Sequence, residues 1–239
     1  MKGFLRNILQ SLRLDLTKNL KYDRLTIQVL KKVIHADSNC IDIGCHKGEI
    51  LNKIVEFAPQ GKHMAFEPIP TLFNLLKNKY NESVQIFPFA LSDENGNSKF
   101  HYIKNAPAYS GINKRDYKVK PKISLIDVEI KRLDEFTSEK KIDFIKIDVE
   151  GGEFEVLKGA EKTLTTNNAI ILFECGLGAS NHYGTIPEEF FCFFEKLGYC
   201  IFLLENFLAD KGPLTKSNFV EIYNQNKDYY FVAQKEKLG

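Results

Sequence analysis

Cys40-Ile41-Asp42-Ile43-Gly44-Cys45-His46-Lys47-Gly48-Glu49 is the stretch on which the reading of this chain turns. An apolar run ends in an acid and two glycines, and an amphipathic segment, Ile50 to Phe57, follows at once. That order predicts a strand, a tight turn and a helix. Gly44 and Gly48 carry no Cβ, so the backbone between them can bend sharply against a ligand, with the first helical amides facing it. The spacing is D-x-G-x-x-x-G, which differs from the G-x-G-x-x-G of dinucleotide binders and lacks the Gly-Lys-Ser/Thr ending of a phosphate loop. Many glycine turns in α/β proteins bind nothing, so this one takes its meaning from its surroundings.

Downstream the chain alternates. The predicted helix over Glu49–Phe57 leads to His63-Met64-Ala65-Phe66-Glu67, a short apolar strand that again ends in an acid. A helix around Pro70 to Tyr80 precedes Val84 to Leu91, read as one strand, and Ser92 to Gly96 makes a turn. The β-α-β-α-β order is that of a parallel, doubly wound sheet, whose ligands sit at the carboxyl ends of the strands. Glu67 stands some twenty residues beyond the glycine turn, where a carboxylate can accept the hydroxyls of a ribose. Asp42 is better placed to brace the turn than to touch a ligand. Asp93, beyond the third strand, would reach an adenine amino group if Glu67 holds the ribose, although neighbouring backbone amides could serve the adenine equally well.

The second informative stretch runs from Asp143-Phe144-Ile145-Lys146-Ile147-Asp148 through Val149-Glu150-Gly151-Gly152 into a helix carrying Glu153, Phe154, Glu155, Val156 and Leu157. Asp148, Glu150, Glu153 and Glu155 crowd like charges that repel, so a cation belongs nearby: Lys146, a divalent metal, the helix N-terminus or a cationic cofactor. A further strand, Ala169 to Phe173, ends in Glu174. Between Asn97 and Ile126 the pattern loosens into two short strands and a polar segment containing Tyr109 and Ser110. An irregular insert on the ligand side of such a sheet is a place for substrate recognition. Past it, Pro187 to Leu197 reads as a helix whose phenylalanines belong to the core, stopped by Gly198. Two closing strands, near Tyr199–Leu204 and Asp228–Ala233, complete the pattern.

Composition bounds the answer. With 239 residues and 44% hydrophobic content the chain can build one sizeable core. A net charge of +2 gives no electrostatic case for nucleic acid. Five cysteines, with no leader pattern and no zinc spacing, fit a reduced, cytoplasmic setting. No apolar run approaches the roughly 18 to 20 residues that a membrane-crossing helix needs. Residues 1–36 form a basic helical segment, and residues 37–239 a single domain with its insert at about 97–126. Eight Lys/Arg stand against Asp15 and Asp23 between Met1 and Ile34, with Leu5, Ile8, Leu9 and Leu12 at helical spacing. Docking on a membrane surface is one reading of that segment, and a helix packed on the body with a solvated basic face is the favoured one. Oligomeric state leaves no mark on the sequence.

Taken together, Ile41-Asp42-Ile43-Gly44 with Gly48, Phe66-Glu67-Pro68, Ala90-Leu91-Ser92-Asp93, Leu133-Asp134, Ile145 to Gly151 with Glu153, and Leu172-Phe173-Glu174 resemble the FkbM-type methyltransferases over about residues 39 to 200. The resemblance implies a class I methyltransferase (Rossmann-like) fold: α/β, a seven-stranded, mostly parallel sheet with helices on both faces. It also implies S-adenosylmethionine as cofactor and a hydroxyl oxygen of a sugar, glycan or related metabolite as acceptor. On this reading Asp42, Gly44, Cys45, His46, Gly48, Glu67, Pro68, Ser92, Asp93 and Asp148 bind the cofactor, with the turn from Asp42 to Gly48 at its methionine end. His46 departs from the pattern, which usually has Asn two residues after the first glycine.

Methyl transfer needs the acceptor oxygen held in line behind the methyl group and relieved of its proton. Asp148 is the first candidate for that work, with Glu150 and Glu174 completing the set. Oxygen ligands from adjacent strand ends would also suit Mg²⁺ on Asp148 and Glu174, though three carboxylates make an acid/base set without a metal. His182, in the loop after the strand ending at Glu174, is a second base candidate. Two other classes compete: a non-catalytic nucleotide- or S-adenosylmethionine-binding module, and an NAD-dependent enzyme, which the glycine spacing disfavours.

Overall fold

The computed structural model describes residues 18–80, 83–115, 117 and 120–236. The amphipathic pattern at Leu5 to Leu12 lies outside these residues. The helix that follows it, α1 (Lys18–Val33), precedes β1 (Cys40–Ile43), α2 (Glu49–Phe57), β2 (His63–Phe66), α3 (Pro70–Tyr80) and β3 (Val84–Phe87). All residues of β1 and β2 are buried, as expected of inner parallel strands covered on both faces. The strand read over Val84 to Leu91 breaks at Pro88, which has no amide hydrogen to give to a ladder. Its second half, β4 (Ala90–Leu91), joins β5 (Gly96–Ile103) and β6 (Ile123–Lys131) in a separate three-stranded sheet, order β4-β6-β5.

The insert is therefore more ordered than its sequence suggests. Strands β5 and β6 pair antiparallel from Gly96 opposite Ile130 to Ile103 opposite Ile123, and residues 104–122 connect them. The main sheet resumes with β7 (Phe144–Ile147), α4 (Glu153–Lys158), α5 (Glu161–Thr166) and β8 (Ile170–Glu174). It closes with α6 (Pro187–Lys196), β9 (Tyr199–Leu203), α7 (Leu204–Leu208), α8 (Lys216–Asn224) and β10 (Tyr230–Lys235). Its seven strands run in the order β3-β2-β1-β7-β8-β10-β9, with β10 antiparallel to both neighbours. This is the expected seven-stranded, mostly parallel α/β sheet.

Alternation along the strands sends side chains to two cores on opposite faces. Ile41, Ile43, Ile145, Ile147, Ile171, Phe173 and Phe231 pack with α4, α5, α6 and α8. Cys40, Phe144, Leu172 and Val232 pack instead with Tyr22, Leu25, Val29 and Leu30 of α1 and Phe207 of α7. The phenylalanines of α6 are core, as read: Phe190 and Phe194 are buried, and both rings lie near Phe173.

Helix α1 is thus part of the body. Its basic residues fasten it: Lys32 Nζ donates to Phe207 O at 2.9 Å and pairs with Asp210, Lys21 pairs with Glu205 at 3.1 Å, and Lys18 Nζ donates to Lys227 O at 3.0 Å. Among the described residues no helix is long and apolar enough to cross a membrane.

Candidate active site

The turn after β1 is pressed against the end of β7. Gly44, at φ 71°, has no room for a side chain, because a Cβ there would lie 1.9 Å from the carbonyl oxygen of Asp148. Gly44 N and Cys45 N both donate to Phe66 O, at 3.0 and 3.3 Å, which ties the turn to the end of β2. His46 takes a positive φ of 50°. Its amide donates to Glu67 Oε2 at 2.8 Å, and Ile69 N donates to Glu67 Oε1 at 2.9 Å. Glu67 therefore fixes the turn as well as facing the cavity. Burial pushes its carboxyl up to about 7, against the pull of those two amides. Burial, aided by Lys47, lowers the His46 imidazole, and its Nε2 is buried with no hydrogen-bond partner among the described residues.

Lys146 is the cation that meets Asp148, the first of the crowded acids. It is buried, donates from Nζ to Gly44 O at 3.0 Å, and lies 3.3 Å from Asp42 Oδ1 and 3.4 Å from Asp148 Oδ2. Burial pulls its ammonium down, but Asp148 and Asp42 more than offset that and leave it above the usual lysine range. Asp42, fully buried beneath the turn, has its carboxyl raised by that burial even against Lys146.

The four acids after β7 go four separate ways. Asp148 Oδ2 accepts from the Tyr230 hydroxyl at 3.0 Å. Glu150, at φ 61°, forms an ion pair with Arg115 of the insert. Glu153 Oε1 accepts from Val149 N at 3.0 Å and Gly151 N at 3.1 Å, and burial pushes its carboxyl up to about 7. Glu155 pairs with Lys158 at 3.5 Å. Of these, Asp148 and Glu150 reach the cavity and Glu153 braces the turn that carries them.

A cavity of about 1140 Å³ opens at the carboxyl ends of β1, β2, β7 and β8. Gly44, Cys45, His46, Glu67, Pro68, Asp148, Glu150 and Glu174 all stand on its wall. Burial, with Asp148 and Glu153 adding like charge, holds the Glu174 carboxyl well above the ordinary carboxylate range. Five other candidates stand off the wall. Asp42 lies under the turn, and Gly48 backs onto Leu76 and Tyr80. Ser92 packs against Gly159, while the Asp93 carbonyl accepts from Arg132. The cavity wall nearest them is apolar, from Ile69, Ala90, Leu91 and Phe100. His182 is exposed on a short turn, and its carbonyl accepts from Asn113 Nδ2 at 3.2 Å.

Of the insert's two candidates, Tyr109 reaches the cavity in the open, whereas the Ser110 hydroxyl is spent on Ile103 N at 2.9 Å. No group of three or more potential metal ligands is gathered to hold an ion among the described residues, so the geometry gives the Mg²⁺ expectation no support. Sequence reasoning missed Arg115, Tyr117, Tyr183, Tyr229 and Tyr230, and missed that α1 supplies Tyr22 and Thr26 to the wall. Only long-range folding brings them there: Tyr230 reaches Asp148 because β10 pairs antiparallel with β8, setting Tyr230 opposite Glu174.

Strand order and strand-end site together define the class I, S-adenosylmethionine-dependent methyltransferases. The model of the methyltransferase FkbM domain matches residues 42–201, and the chain belongs to that family. It is 29% identical over 175 residues to the 2-O-methyltransferase NoeI of Sinorhizobium fredii, covering 64% of this chain and 69% of that one. It is 28% identical over 155 residues to the methyltransferase sdnD of Sordaria araneosa, covering 51% of this chain and 60% of that one. Among solved structures, the FkbM methyltransferase of Methylobacillus flagellatus KT shares the fold with a TM-score of 0.52 at 12% identity. That match covers 97% of this chain and 59% of the other, so the chain spans about three fifths of that protein.

Proposed function

We propose that the protein is an O-methyltransferase acting on a hydroxyl of a sugar, glycan or related metabolite. The observation that carries this reading is the pairing of Asp148 with Tyr230 and Lys146 on the wall that Glu174 shares. The residues of the first turn fit the methyl donor. His46 Nε2 is a buried polar atom lacking a partner among the described residues, and Glu67 keeps lone pairs beyond the two that its amide donors occupy. When bound, S-adenosylmethionine supplies an activated methyl group on a cationic sulfur.

The chain's own part is orientation and proton handling. Asp148 is the acceptor for the proton of the reacting hydroxyl, with Tyr230 fixing the direction of its carboxylate. Tyr230, its phenol pushed up by burial and by Asp148 and Glu174, remains a hydrogen-bond donor. Glu174 shares that wall, its carboxyl held above the ordinary carboxylate range by burial and by the like charge of Asp148 and Glu153. Glu150 serves through Arg115 rather than as a free base. The name of NoeI, a 2-O-methyltransferase, supports oxygen as the atom that receives the methyl group.

A screen of saccharide and glycolipid acceptors with labelled S-adenosylmethionine tests this reading, comparing wild type with Asp148→Asn. Wild type should transfer label to a saccharide, and the variant should bind the cofactor by calorimetry yet lose roughly 10²- to 10⁴-fold in rate, the usual worth of a general base. Equal transfer by both would remove Asp148 from the chemistry. Binding of NAD in place of S-adenosylmethionine would sink the whole proposal.

A further inference from the structure

The connection between β5 and β6 walls one side of the cavity and is tied down at several points. His101 N donates to Gly111 O at 2.8 Å, and Asn113 N donates to the Tyr183 hydroxyl at 3.0 Å. The ion pair with Glu150 anchors Arg115, whose guanidinium lies 5.2 Å from the centre of the Tyr109 ring. The Arg115 and Glu150 side chains are only 15% and 16% exposed. These ties hold Arg115 in place on the wall.

Two donors on this wall lack a partner among the described residues. Arg115 Nε and the Tyr117 hydroxyl are buried and meet no hydrogen-bond partner among the described residues, and both residues line the cavity. Buried donors are almost always satisfied in native proteins, so a pair left over on one cavity wall marks the place of a ligand's oxygens. Glu150 adds an acceptor beside Arg115 and lines the same cavity as Tyr117. Two donors and a carboxylate match adjacent hydroxyls, because each hydroxyl both takes and gives a hydrogen bond. Tyr109, 41% exposed, offers a ring against which the C–H side of a sugar can lie.

We infer that Arg115, Tyr117 and Glu150 form the acceptor subsite, holding a vicinal diol of a saccharide ring beside Tyr109. The inference rests on the proposed transfer to a sugar hydroxyl and deepens it, by assigning recognition to the insert and the diol as the feature recognised.

The test uses full-length protein, a panel of methyl glycosides, their deoxy analogues lacking one hydroxyl of the diol, and a simple phenol. Arg115→Lys, Tyr117→Phe and wild type are compared for acceptor KM, kcat and cofactor Kd. Saturation-transfer NMR with S-adenosylhomocysteine present reads glycoside binding independently of turnover. Each variant should raise KM for the glycoside about tenfold, with kcat and cofactor Kd little changed, since a site built to pair a hydroxyl pays for each lost bond. On the deoxy analogue the penalty of the variant should largely vanish. Glycoside KM and binding unchanged in both variants would overturn the inference while leaving the sugar reading intact. Methylation of the phenol with no glycoside bound or methylated would overturn both.

Discussion

Lys146 carries more of this site than any other single side chain. Among the described residues it is the one cation paired with both the acid under the first turn and the acid at the end of β7, and it also holds the Gly44 carbonyl. Removing it strands Asp42, which has no solvent to turn to. Lys146→Met should therefore destabilise the fold by about 3–5 kcal/mol, the cost of breaking a buried ion pair from one side. Urea unfolding measures this, and adding Asp42→Asn to the variant should recover part of the loss, because the two residues interact directly. His46 makes a gentler case. Its contact with Glu67 runs through the main-chain amide, and Asn tolerates the left-handed backbone that residue 46 adopts. His46→Asn should leave stability within about 0.5 kcal/mol of wild type. Calorimetry with S-adenosylmethionine then isolates what the imidazole Nε2 contributes to cofactor affinity.

At the scale of elements, the site is two turns locked together. Gly44→Ala pushes a Cβ into the Asp148 carbonyl and strains a positive φ, so either the turn or the end of β7 must shift. Loss of cofactor binding by calorimetry, with a drop in stability of about 1–3 kcal/mol on urea unfolding, is the expected outcome. The second turn is braced by Glu153, whose carboxyl is raised to about 7 by burial. A buried acid with a raised pKa binds its proton more tightly in the folded chain than in the unfolded one. Its contribution to stability is thus fully present below about pH 4.5 and declines as pH climbs to about 7. Urea unfolding between about pH 5 and 8 should show wild type losing stability relative to Glu153→Gln as pH rises. Both turns were readable from residue order alone, because glycine placement and strand-end acids are local signals. Pro88 was readable too, but the alternating apolar run around it outweighed the missing amide and hid the break between β3 and β4. Helices α7 and α8 sit in stretches whose periodicity is too short to stand out, and they are held by packing: Phe207 against α1, Phe219 against Phe190 and Phe231. Arg115 had no local signal, since its partners lie in Tyr109 and, beyond β7, in Glu150.

On the scale of the whole molecule, the cavity belongs to both faces of the fold at once. The strand ends supply its acids, the insert one wall, and α1 another through Tyr22, Thr26 and Ile27. The stripe that carries Tyr22 and Thr26 continues into the core, with Val29 and Leu30 fully buried against Phe144, Leu172 and Val232. Leu30→Ala should cost about 2–5 kcal/mol, the range for truncating a buried leucine. A ligand bound only by the folded chain adds stability by mass action, about 2.7 kcal/mol at a hundred times its Kd. Measuring urea unfolding of wild type and Leu30→Ala with one fixed concentration of S-adenosylhomocysteine separates two roles for the helix. If α1 only fills the core, both proteins gain the same increment from the ligand. Because residues of the same helix form cavity wall, loosening its buried face should weaken binding, and the variant should gain a smaller increment than wild type. Equal increments would mean that the wall formed by α1 is not used by the cofactor and faces the acceptor alone.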